Sequence, residues 1–172
     1  SADVSQLCPR KELDMKRFTT LMMLAFVAAA AVATHADGGT TDEQKEKDDL
    51  HIAVQQICPV SGQRLGDHGA PIKVTVGEKK EEVFLCCKGC LKQKIDPKHW
   101  ATVHANIARA QRNCPVMKKP LPARPKWTMV GGRVVYVCCP PCTDKIAADP
   151  DAYLDRVDEL YAKSVKDRQD SR

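Results

Sequence analysis

Val83-Phe84-Leu85-Cys86-Cys87-Lys88-Gly89-Cys90 returns as Val135-Tyr136-Val137-Cys138-Cys139-Pro140-Pro141-Cys142. Each octet is preceded by Cys-Pro-Val, at Cys58-Pro59-Val60 and at Cys114-Pro115-Val116. Each is followed by Asp-Pro and an aromatic, at Asp96-Pro97-x-x-Trp100 and Asp149-Pro150-x-x-Tyr153. Leu65 and Leu121 stand at the same distance beyond their opening cysteines. Between the opening cysteine and the Cys-Cys pair lie 27 residues in the first copy and 23 in the second, which is therefore four shorter. Agreement at this many positions marks a tandem duplication, so the chain is read as two copies of one small module.

Punctuation sets the elements of each copy. In the first, a helix is expected over 43–57, with Leu50, Ala53 and Ile57 on one face. Two strands follow, 71–76 and 81–86, joined by the turn Gly77-Glu78-Lys79-Lys80. The cysteine cluster leads into a short helix. Asp96 is then a good N-cap with Pro97 at the first helical position, and this helix runs to about 113 with Trp100, Val103 and Ile107 on one face. The second copy repeats the order with strands 126–130 and 133–138 around Gly131-Gly132, and a helix over 150–163 carrying Leu154, Val157 and Tyr161. Trp100 and Tyr153 read as anchors of helix on hairpin, and His99 and His104 as solvent-facing. The fold class is α+β: two tandem modules, 51–113 and 114–165, each a β-hairpin plus helices. Residues 37–50 are a flexible leader and helix start, and 166–172 a polar, fraying tail.

The chain has 172 residues, 43% hydrophobic and 28% charged, which excludes an acidic disordered chain and a multispan membrane protein. The net charge of +5 comes without a dense basic block, so a nucleic-acid partner is not expected. Neither a G-x-G-x-x-G nor a P-loop pattern is present. Met15-Lys16-Arg17, an apolar run over 18–33 and Thr34-His35-Ala36 form the n-region, h-region and cleavage site of a signal peptide spanning 1–36. The run falls short of the ~20 residues of a spanning helix, so no stable membrane anchor is expected after cleavage. Residues 1–14, which include Cys8, read as an over-long gene start or an extended n-region. The mature chain is expected to be exported, periplasmic or secreted, with a net charge of +4 and eight of the nine cysteines.

Those eight cysteines carry the chemistry. A module of 50–55 residues buries too little apolar surface to be stable without a staple, and cysteines can supply one as disulfides or as metal ligands. Cys86 and Cys90, like Cys138 and Cys142, are four apart where a strand turns into a helix, which brings both sulfurs to one side of the turn. Cys58 and Cys114 come from the loop that the hairpin folds back beside them. Three thiolates then converge as in small zinc sites. Cys87 and Cys139 are either a fourth ligand or small buried hydrophobes. Met117 is a soft thioether donor suited to copper(I), or core filling. His68, in the loop after Cys58, is the candidate to complete a Cys3His set in the first module, or an exposed loop histidine.

At these residues the chain resembles the YHS domain and the related TRASH-type heavy-metal-binding modules. The resemblance rests on Cys58-Pro59-Val60-x-Gly62, Val83-Phe84-Leu85-Cys86-x3-Cys90 and Asp96-Pro97-x-x-Trp100, with the counterparts Cys114-Pro115-Val116, Tyr136-Val137-Cys138-x3-Cys142 and Asp149-Pro150-x-x-Tyr153. It covers about 57–161. It implies two small treble-clef or zinc-ribbon-like modules that bind zinc, copper(I) or another soft metal. Where that family often has a second opening cysteine, this chain has Ser61 and Met117.

Three functions compete. The first is an exported protein that binds zinc or copper(I) through two Cys-rich modules for metal handling in the envelope, with a metal-transport or metal-delivery protein as partner. The second is a disulfide-stapled structural or interaction module, which an oxidising compartment favours. The third is a thiol-disulfide redox protein using Cys87-x-x-Cys90 or Cys139-x-x-Cys142, for which the βαβ context is missing. No nucleophile–base pair or paired carboxylates stand out, so an enzyme is not expected.

Overall fold

The computed structural model describes residues 42–171. The expected signal peptide, Cys8 and the expected leader up to 41 lie outside them. The order of elements is α1 (Asp42–Gln55), β1 (Ile72–Val76), β2 (Glu81–Leu85), a 3-10 turn (Lys88–Lys92), α2 (Pro97–Gln111), β3 (Lys126–Val130), β4 (Arg133–Val137), α3 (Pro141–Ala148) and α4 (Pro150–Asp170). The fold is α+β, with four α-helices and two antiparallel two-stranded hairpins among the described residues.

The hairpin registers show where the second copy loses its four residues. In the first hairpin Val76 faces Glu81 across the four-residue turn 77–80, and in the second Val130 faces Arg133 across Gly131-Gly132 alone. That removes two. The loop from Leu65 to β1 spans six residues, whereas the loop from Leu121 to β3 spans four, which removes the other two. Gly131 and Gly132 both have positive φ, +53° and +77°, as a two-residue hairpin turn of this twist demands. Gly132 is held by a second constraint. A methyl group there would fall 2.7 Å from Glu82 Cγ, because the two hairpins meet at this point through Glu82 N donating to Gly132 O at 2.7 Å.

α2 belongs to both copies. Asp96 Oδ1 caps it by accepting from Lys98 N (2.8 Å) and His99 N (3.1 Å). At its other end it delivers Gln111 to the second Cys-Pro-Val loop, as α1 delivers Gln55 to the first. α1, α2 and α4 pack on one another. One core cluster joins Val54 of α1 and Ala110 of α2 with Cys114, Val135, Val137, Cys142, Ile146, Val157 and Tyr161. The other gathers Cys58, Val60, Leu65, Phe84, Leu85, Cys86 and Cys90. The second cysteine cluster therefore packs against α1 and α2, which precede it in the chain.

Three local expectations change. Residues 166–170 continue α4, where a frayed tail was expected, because Asp167 pairs with Arg112 (2.7 Å) and Arg168 donates to Ala53 O (3.0 Å). His104 faces inward. The Tyr136 hydroxyl donates to its carbonyl (3.1 Å) and accepts from its Nδ1 (2.9 Å), while the Trp100 ring lies tilted against the imidazole. Trp100 and Tyr153 are half-buried against their helices, whereas Val103 and Val157 on the same helices are fully buried. No helix among the described residues is long and apolar enough to cross a membrane.

Candidate metal centres

The opening cysteines sit in identical turns. Gly62 N donates to Cys58 O (2.9 Å), and Cys58 N to Gln63 O (2.8 Å). In the second copy Lys118 N donates to Cys114 O (2.8 Å), and Cys114 N to Lys119 O (2.8 Å). Both turns need a positive φ at their fifth residue, supplied by Gly62 (+71°) and by Lys118 (+55°). Gly62 is further constrained, since a methyl group there would lie 2.5 Å from His99 Nε2. The His99 ring closes over this first turn, its Nδ1 3.2 Å from Val60 O.

β2 and β4 end at the Cys-Cys pairs, and the following turn swings Cys90 and Cys142 back. The result is two groups, Cys58/Cys86/Cys90 and Cys114/Cys138/Cys142, whose sulfurs lie within 4.8 Å of one another. Cys86 and Cys90 are 3.6 Å apart, and Cys138 and Cys142 3.8 Å. Tetrahedral metal–sulfur bonds of ~2.3 Å place two sulfurs ~3.8 Å apart, so this spacing suits a shared ion. It is far beyond the ~2.05 Å of a disulfide. All eight described cysteines are free thiols. Each cluster can thus hold a metal ion.

The electrostatics favour a cation. Burial pushes the Cys58 thiol up, but the backbone N–H groups of Ser61 and Cys86 outweigh it and bring it down to about 7. Burial, reinforced by Cys86 and Cys58, pushes Cys90 up to about 12. The second cluster repeats the contrast. Cys114 is lowered against its burial by the N–H groups of Met117 and Cys138, and Cys142 is raised by burial and by Cys139. One thiolate per cluster is stabilised by the backbone, and the buried neighbours resist ionising beside it. A bound cation removes that repulsion and lets all three coordinate as thiolates.

A pair of glutamines braces this arrangement. Gln55 is buried, donates to Phe84 O (2.7 Å) and Ile57 O (2.9 Å), and accepts from Phe84 N (2.8 Å). Gln111 is buried likewise, donates to Tyr136 O (2.6 Å) and Asn113 O (3.0 Å), and accepts from Tyr136 N (2.9 Å). Each therefore ties the loop leading to the first cysteine to the strand leading to the second. The sequence carries this brace as Gln-x-x-Cys-Pro-Val in both copies, a pattern absent from the readings above.

The remaining candidates divide. Cys87 lies 3.9 Å from both Cys86 and Cys90, and Cys139 lies 3.7 Å from Cys138 and 3.3 Å from Cys142, so both stand beside the triads at their half-buried edge. His68 sits in the exposed loop before β1, outside the converging group. Met117 is the fourth residue of the second turn and is 44% exposed, which does not fit core filling. Its counterpart Ser61 turns its hydroxyl onto Cys86 Sγ at 3.3 Å. No family model, no curated protein and no solved structure matches the chain.

Proposed function

We propose that the protein is an exported soft-metal-binding protein that holds one ion of zinc or copper(I) at each cysteine cluster, for metal handling in the cell envelope. The observation that carries this reading is the convergence of two separate, largely buried three-cysteine groups at metal-sharing distance. Export rests on the N-terminal signal pattern. The order of Cys-Pro-Val turn, hairpin and Asp-Pro helix supports the treble-clef-like, YHS- or TRASH-like reading of each copy. The partner is a metal-transport or metal-delivery protein of the envelope.

Three thiolates satisfy copper(I), whereas zinc keeps a fourth position to fill. The contact of Ser61 with Cys86 supports position 117 as one from which a side chain can reach the second cluster, so Met117 supplies a thioether donor there. The second cluster accordingly favours copper(I) more than the first. Cys90→Ser and Cys142→Ser test the assignment. Each is expected to remove one of two bound ions and leave the other in place. Retention of both ions in both variants contradicts it.

A further inference from the structure

We propose that Cys87 is the exchange ligand of the first cluster, the thiol through which a soft ion passes between the buried triad and an acidic thiolate partner; this rests on the reading that the triads bind metal. Two observations carry it. The first is access. Cys58, Cys86 and Cys90 are buried, and Cys87 is the sulfur of that cluster left at the surface. Its equal distance of 3.9 Å from Cys86 and Cys90 lets it take an ion from either.

The second is charge. In the segment that follows Cys87 the chain exposes Lys88, Lys92, Lys94 and Lys98, and Leu91 among them is 52% exposed. The segment that follows Cys139 instead exposes Asp144, Lys145, Asp149 and Asp151, with no basic excess. A basic segment beside Cys87 draws an anionic thiolate carrier to the first cluster, and the segment beside Cys139 gives no such help.

The transfer is a ligand substitution. Cys87 bonds the ion as one triad sulfur lets go. The partner's thiolates then bond it one at a time as the other two triad sulfurs leave in turn, and the Cys87–metal bond breaks last as the partner completes its own set. Each step forms one metal–sulfur bond and breaks another. Cysteines left behind take protons from water, and no electron is transferred. By microscopic reversibility, loading follows the same route.

The test uses the full chain loaded with two equivalents of copper(I), with transfer to bicinchoninate, an anionic copper(I) ligand, followed by its colour. Cys87→Ser is expected to keep two ions at equilibrium, while release and loading of one of them slow at least about tenfold. Cys139→Ser is expected to change the rates less than about threefold. Faster release from the Cys87 variant, or loss of one ion, would make Cys87 a resident ligand and overturn the proposal, as would unchanged rates. Should Cys87→Ser unfold, the double change Lys88→Glu with Lys92→Glu keeps every sulfur. It is expected to slow transfer to the anionic ligand about tenfold and to remove its salt dependence. Unchanged transfer in that variant overturns the proposal too. A wild-type chain that binds no copper would instead defeat the metal-binding reading itself.

Discussion

Gln111 fills a gap between two backbone segments that have no direct bond to each other, Asn113 and Tyr136. Leucine has nearly its volume and none of its hydrogen bonds, so Gln111→Leu would strand the N–H and carbonyl of Tyr136 inside the core. A cost of about 3 kcal/mol in urea unfolding is expected, since each orphaned buried group costs roughly 1–3 kcal/mol. A loss below about 0.5 kcal/mol, the size of an ordinary surface change, would show that the brace is dispensable. Met117→Ala is expected to leave folding unchanged, because the side chain is half exposed, and to weaken copper(I) at the second cluster in a competition titration. Unchanged affinity there would leave the thioether without a role. The two residues differ in legibility. Met117 drew notice because its chemistry is soft and its position aligned with Ser61. Gln111 and Gln55 aligned equally well, yet a polar residue at a helix end gives no sign in the sequence that it will be buried.

At the scale of elements, the hairpins were readable and the length of the last helix was not. Short apolar runs ending at Cys86 and Cys138, with glycines at the turns before them, name the strands locally. Continuation of α4 to Asp170 depends on Arg112 and Ala53, more than fifty residues away in sequence, and no local pattern records such partners. The same helix carries Asp158, which accepts from His51 (2.8 Å) on α1 and is paired with Arg133 on β4. Burial alone would raise its carboxyl, but the hydrogen bonds from His51 and Arg133, with the Arg133 charge, hold it below the ordinary carboxylate value. A carboxylate lowered in the folded state stabilises the fold above its unfolded value, and that contribution is lost as pH falls through the folded one. Asp158→Asn is therefore expected to cost about 2 kcal/mol at neutral pH. It should also flatten the acid-side fall in stability below about pH 4. Parallel stability-versus-pH curves for the two proteins would count against this lock between α1, β4 and α4.

For the whole molecule, the repeated octet marks a duplication, and in the structure the two copies share their helices. α2 closes the first copy and opens the second, and Val54 and Ala110 sit in the core around Cys114 and Cys142. Each cysteine cluster lies at the meeting of a turn, a strand end and a helix start, and those pieces are held by one common helical layer. A repeat in sequence reports ancestry and local form; it does not report which neighbours a half needs to stay folded. What both copies share is the convergence of three sulfurs, and the central claim is that each set holds a metal ion. Native mass spectrometry of the chain from residue 37 onward, with alkylation to count thiols after removal of metal, measures this directly. Two ions per chain, zinc or copper(I), and eight reactive thiols once they are stripped is the expected result. A metal-free chain lighter by about eight hydrogens, with no thiol left to alkylate, would mean four disulfides and would contradict it.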